Sequence, residues 1–364
     1  MAIPVIEWDS LSTAERLALA AAGEVSPLSF TALWYNVIQA DSFQCNWHHH
    51  YYNYAAQKLL SGEAQNILIN IPPGGTKTEF FSVHLPVYCM VKHPRVRILN
   101  TSYSKDLVNE NSERSRAIVR SSEFQEFYPW QIGKNKVDDW TIEQDGKRIH
   151  QLFSRPSGGQ ITGVRGGYMS KGFSGYVAAD DWDKMDDLFS ETKRKKSHTR
   201  LINTLRSRRA KTTTPFIFVQ QRGHVDDSTG FLLSGGMGVK IDLHIVIPAM
   251  IDKAFIDTLP EGIRDRCVAR GGPRCAGPRF RRGEGCDACL REQRAALEIP
   301  RPVVAVEVDG MGVRIARADT GVGVGTGGGG GATRRQEVSR RCAQTLTACC
   351  VFSSKAGNPR NNWL

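Results

Sequence analysis

Five short apolar runs constrain this chain more than any other feature: Ile67 to Ile71, Val96 to Ser102, Tyr176 to Ala179, Phe216 to Val219 and Leu243 to Ile247. Each reads as apolar on both faces, the pattern of a central strand covered on each side, and helical stretches separate them. Between the first two lies room for one crossover helix, Glu79 to Val91, as a right-handed βαβ unit requires. The fold class is therefore α/β, with a mostly parallel central sheet flanked by helices. Asp145-Gly146, set between the alternating segments of Trp140 to Phe153, predicts a hairpin inserted into that pattern.

Upstream of the sheet, residues 1–42 read as a helical segment. Ser12 and Glu15 form a capping box that opens one helix, with Gly23 expected as its left-handed stop. A second helix, Leu28 to Ala40, carries Phe30, Leu33, Trp34, Val37 and Ile38 on one face, a core-packing stripe. The α/β domain is expected over 43–250, a linker over 251–270, and a tail over 271–364.

The tail differs in composition from what precedes it. The chain carries a net charge of +11, but residues 1–266 hold 32 Lys and Arg against 29 acids, so most of the excess lies beyond them. The last 98 residues contain 15 Arg and one Lys, seven of the nine cysteines and the run GVGVGTGGGGG. Such a segment buries too little apolar surface to offset its ordering entropy and is expected to be disordered. Its Arg-to-Lys ratio is also what a GC-rich gene read out of frame near Cys267 to Gly272 would give. Its acids, Glu284 to Glu337, are few and dispersed, so no magnesium-dependent nuclease is expected there. Cys286 and Cys289 with Cys267 and Cys275 have irregular spacing for a zinc knuckle. No run of eighteen apolar residues and no secretory leader is present, which predicts a soluble, cytoplasmic protein without membrane segments.

The run Ile67 to Ile71 leads into Pro72-Pro73-Gly74-Gly75-Thr76-Lys77-Thr78 and then a helix. A phosphate-cradling loop belongs at that place: glycines turn backbone N–H groups toward phosphates, Lys77 reaches the outer phosphates, and the Thr78 hydroxyl ligates magnesium. The general pattern puts Gly immediately before Lys and another five residues earlier, where this chain has Thr76 and Ile71. Further on, Gly175-Tyr-Val-Ala-Ala-Asp180-Asp181 is an apolar strand ending in two carboxylates, as such enzymes use to hold magnesium and polarise water.

PPGGTKTE, LNTSYSKDLVNENSERSR at 99–116, GGQITGVRGG at 158–167, FSGYVAADDWDK at 173–184, SETKRKK at 190–196 and TPFIFVQQRGHVDD at 214–227 together resemble the large terminases of tailed phages, over most of 43–265. The resemblance implies a P-loop NTPase that binds ATP and Mg2+ and pumps double-stranded DNA into a procapsid. It implies a ring of subunits working with a portal protein and a small terminase subunit. By position, Gly74, Gly75, Thr76, Lys77 and Thr78 would bind nucleotide, Asp180 would hold magnesium with Thr78, and Asp181 would orient water. Relatives often have Glu in place of Asp181. Two alternatives stay open: a helicase-like DNA-dependent ATPase, and a degenerate prophage product without activity.

Other candidates carry a plainer reading beside the functional one. Gln44, Asn46 and Trp47 could hold an adenine or simply begin a helix with a core aromatic. His48, His49 and His50, consecutive on a helix, point apart and do not suit one metal. Arg165 is a candidate trans-acting finger or a surface charge, and residues 71–78 contain no Arg. Lys193, Arg194, Lys195, Lys196, Arg206, Arg208 and Arg209 form a cationic cluster suited to DNA phosphates or to a solvated helix face. Gln220, Gln221 and Arg222 follow a strand end, where γ-phosphate sensing and coupling are expected.

Overall fold

The computed structural model describes residues 5–159, 161 and 163–269, together with the strands Val304–Asp309 and Gly312–Arg317. The larger unit is a three-layer α/β fold around an eight-stranded sheet. Its strands are β1 (Asn66–Asn70), β2 (Val96–Ser102), β3 (Gln131–Lys136), β4 (Asp139–Gln144), β5 (Lys147–Pro156), β6 (Val177–Asp180), β7 (Phe216–Gln220) and β8 (Leu243–Val246). They lie in the order β3-β4-β5-β2-β6-β7-β1-β8. From β5 to β8 every pairing is parallel, whereas β4 runs antiparallel to both β3 and β5.

Side chains alternate between two cores. Ile67, Ile69, Ile98, Ala178, Ile217 and Val219 face one layer, and Leu68, Leu99, Val177, Ala179, Phe216 and Phe218 face the other. The first layer contains α1 (Thr13–Gly23), α2 (Pro27–Gln39), α3 (Trp47–Ser61), α4 (Leu85–Lys92), α5 (Lys105–Arg120) and the short α6 (Ser122–Gln125). The second contains α7 (Glu191–Asn203), buried through Leu201 and followed by a short turn that buries Leu205, and α8 (Ser228–Leu233).

The capping box of Ser12 and Glu15 opens α1. Gly23 is not a left-handed stop, for it is the last helical residue and its φ is not positive. A Cβ there would come 2.8 Å from Leu33 Cδ2, so glycine allows α1 and α2 to approach closely. The hairpin at Asp145-Gly146 forms with both residues at positive φ, 51° and 68°. The exposed edge strand β3 escapes sequence reading because its residues, QIGKNK, are mostly polar.

The segment read as a linker is not one. Residues 253–269 form α9 (Lys253–Thr258) and α10 (Glu261–Ala269), and Ile256, Leu259, Ile263 and Cys267 are buried in the first core. Most of the tail lies outside the described residues. Within it, Val304–Asp309 and Gly312–Arg317 pair antiparallel, in a unit separate from the sheet. The alternation of Val304, Val306, Val308, Val313 and Ile315 is a period-2 signal that the compositional reading overlooked.

Candidate functional site

The loop leaving β1 is a tight cradle at the C-terminal edge of the parallel strands. Gly74 has φ 83° and Thr76 φ 53°. A Cβ on Gly75 would lie 2.4 Å from Ile71 Cδ1 and 3.1 Å from the Tyr52 hydroxyl, so only glycine fits there. Two α3 side chains hold the loop from outside: the Tyr52 hydroxyl donates to the Gly75 carbonyl (2.9 Å), and His49 Nε2 contacts Thr76 Oγ1 (2.5 Å). Burial and the nearby Asp180 carboxylate push the Tyr52 phenol well above its ordinary pKa, keeping it a donor.

After Thr78 the helix widens into a π-type turn over Glu79–His84 before continuing as α4. Pro86 supplies the reason. It has no N–H for the carbonyl four residues back, Ser82 O. That carbonyl instead accepts from Asn100 Nδ2 (3.1 Å) and Ser115 Oγ (3.3 Å). From the same turn the Ser82 hydroxyl donates to Asp180 Oδ2 at 2.7 Å. Glu79, beside it, pairs with Arg114 of α5. His84 Nδ1 lies 3.2 Å from Glu79 Oε1, but burial pushes the imidazole down to about 3, so this is a contact of a neutral ring and not an ion pair.

The two carboxylates ending β6 differ sharply in environment. Asp180 is buried and is also hydrogen-bonded by the Thr78 side chain. Burial first, then the Asp181 charge, push its pKa up to about 6. Its Oδ1 is buried without a hydrogen-bond partner. A carboxylate oxygen so placed beside a Thr hydroxyl fits a magnesium ligand set completed by phosphate and water oxygens. Asp181 turns into the left-handed region (φ 46°) and meets Lys77: Nζ lies 2.7 Å from Oδ1, across 104 residues of sequence. Lys77 is buried, so this ammonium is largely out of water.

Strand β7 lies between β1 and β6 and carries a polar relay at its end. Gln220 Nε2 donates to Thr229 Oγ1 (2.5 Å), as does Asn70 Nδ2 (2.9 Å), and Asn70 Oδ1 lies 2.8 Å from His244 Nε2. The last residue of the loop-bearing strand is thus tied to β7, β8 and α8. Arg222 donates to Asp227 Oδ2 (2.9 Å), while Gln221 lies half-buried between Gln220 and Arg222 in sequence.

Other candidates lie elsewhere. Asn46 caps α3, accepting from Trp47 N, and Trp47 is buried with its ring 6.1 Å from Phe255, which fits the plainer reading of both. Gln44 is exposed and donates to Ser42 Oγ. Arg165 is exposed at the opposite, N-terminal edge of the sheet, where Gly167 N donates to Arg97 O. That edge is separated from Asp181 by the length of β2, about 20 Å at ~3.3 Å per residue.

The cationic cluster divides in two. Lys193, Arg194, Lys196 and Arg200 line a cleft of about 260 Å³ with Tyr103, Trp182 and Lys184, starting at the residue after Asp181. Lys195 pairs with Glu191 on the exposed face of α7. Arg209 stacks over Phe216 at the start of β7, Arg208 donates to Ile161 O, and Arg206 to Met237 O. Sequence reading weighed His49 only as a metal ligand and gave no role to Tyr52, Ser82, Arg114 or Asp183. The last accepts from Ser197 and Ser228, tying α7 and α8 to the end of β6. Arg114 and Asp183 lie inside the segments that carry the resemblance, which gave no role to either.

No protein-family model matches this chain, and no curated protein matches it. Among solved structures it is similar to the large terminase of bacteriophage HK97, at 12% identity and a TM-score of 0.32, over 65% of this chain and 44% of that one. It is also similar to the large terminase of a thermophilic bacteriophage in complex with ADP, at 11% identity and a TM-score of 0.30, over 59% of this chain and 49% of that one. The chain thus spans less than half the length of either protein. The chain is an α/β fold whose loop between β1 and the following helix lies at one edge of a mostly parallel sheet, and phage large terminases are among the solved structures similar to it.

Proposed function

We propose that this chain is the ATP-hydrolysing motor portion of a phage DNA-packaging terminase, acting on double-stranded DNA in the host cytoplasm. The observation that carries this reading is the meeting of Lys77, Thr78, Asp180 and Asp181 at one edge of the sheet. Backbone N–H groups of Gly74, Gly75 and Thr76 cradle the phosphates, and Lys77 neutralises the outer ones. Thr78 and Asp180 would hold Mg2+, which would offset charge on the phosphate oxygens.

Asp181 accepts the Lys77 ammonium at 2.7 Å, so a triphosphate competes with Asp181 for that cation. Drawing Lys77 away leaves the Asp181 carboxylate free to orient the attacking water. Gln220, through Thr229 and Asn70, relays a change at the loop to β7 and α8. The cleft under Lys193, Arg194 and Lys196 supports the DNA reading, because clustered cations match the spacing of phosphates. Arg165, at the far edge, acts on a neighbouring subunit in a ring assembled on a portal protein with a small terminase subunit.

The Lys77→Ala variant tests the reading. Its ATPase rate is expected to fall at least ~100-fold, the scale of losing a preorganised charge contact. Near wild-type turnover overturns the phosphate-loop assignment. DNA-stimulated hydrolysis that is indifferent to a portal protein would instead favour a helicase-like motor.

A further inference from the structure

We infer that His49 is a positioning residue for the phosphate loop, holding Thr76 in the left-handed conformation that glycine usually provides there. The inference rests on the phosphate-loop reading above and adds the element that sets the loop's shape. Thr76 immediately precedes Lys77, has φ 53° and is β-branched, the kind of residue that least tolerates positive φ. Left to itself, such a residue would return to negative φ and swing the N–H groups of the loop out of line.

The restraint is a directed chain of hydrogen bonds. Asn46 N donates to His49 Nδ1 at 2.8 Å, so in the neutral ring the proton sits on Nε2. Nε2–H then donates to Thr76 Oγ1, and the Thr76 hydroxyl passes its own hydrogen to the Gly75 carbonyl at 2.8 Å. The Tyr52 hydroxyl, one turn along α3, donates to the same carbonyl. His49 is buried and its orientation is fixed from behind by the α3 cap, so the ring is a rigid prop. A glycine before the lysine would need no prop. A threonine does, and its hydroxyl is the atom the prop grips.

The pairing makes a specific double-mutant prediction. His49→Ala should raise the KM for ATP about tenfold, equivalent to about 1.4 kcal/mol, with a smaller effect on kcat. Thr76→Gly sets the reference for the pair, because glycine adopts positive φ unaided and lacks the hydroxyl that His49 grips. His49→Ala with Thr76→Gly should return to within about twofold of the Thr76→Gly chain. A folding defect from emptying the His49 site would not be cured by a glycine in the loop, so recovery separates the two explanations. Unchanged KM in His49→Ala, or a double variant as impaired as His49→Ala, overturns the inference while leaving the ATPase reading intact. A wild-type chain that neither binds nor hydrolyses ATP overturns both.

Discussion

At the scale of single residues, Asp180 and Asp181 sit in different environments, and the roles proposed for them divide accordingly. Asp180 is buried, with its folded-state pKa raised to about 6 by burial and by Asp181. A carboxyl whose pKa is raised on folding opposes folding increasingly as the pH rises from its ordinary value to the folded one, and fully throughout the neutral range. Asp180→Asn should therefore raise the melting temperature in magnesium-free buffer at neutral pH. The same variant should weaken magnesium-dependent nucleotide binding at least ~10-fold, the cost of a lost charged ligand. Asp181→Asn should spare binding and remove turnover. Calorimetric melts and nucleotide titrations with and without magnesium check this. Equal loss of binding in both variants would refute the division.

At the scale of elements, much was legible because central strands have to be apolar on both faces. Ile67, Ile69, Ile98 and Val219 declared β1, β2 and β7 in this way. The polar edge strand β3 carried no such mark, and α9 and α10 were hidden by short apolar spacings that look like loop. The loop itself was legible from its glycines and Lys77-Thr78. His49, Tyr52 and Ser82 were not, because their contacts join elements whose spacing in sequence says nothing about meeting in space. Helix α7 was read as cationic, and its folded form adds a direction. Lys193 and Lys196 line the cleft beside Trp182, Lys193 paired there with Asp187, while Lys195 pairs with Glu191 on the open face, exposed pairs worth little. Reversing Lys193 and Lys196 to Glu should flatten the salt dependence of DNA affinity by about two units of slope, one per phosphate contact. Binding isotherms at several salt concentrations measure that slope. An unchanged slope would assign this face to solvent.

At the scale of the whole molecule, the proposed nucleotide residues occupy one edge of the sheet and Arg165 the other, so the proposed trans role needs a second subunit. Chains carrying Arg165→Ala should bind nucleotide as monomers yet fail to hydrolyse it when assembled. Mixing them with Lys77→Ala chains should restore part of the turnover, because some interfaces then join an intact loop to an intact arginine. No recovery in mixed assemblies counts against the trans role. The contact between Lys77 and Asp181 also bears on how a turnover ends. In the proposed cycle the ammonium changes partners twice, leaving Asp181 for the incoming triphosphate and returning once the bond to the terminal phosphoryl group is cut. An aspartate 2.7 Å away is then a standing competitor for the grip on free phosphate, so the geometry that delays the start of hydrolysis also hastens departure of its product.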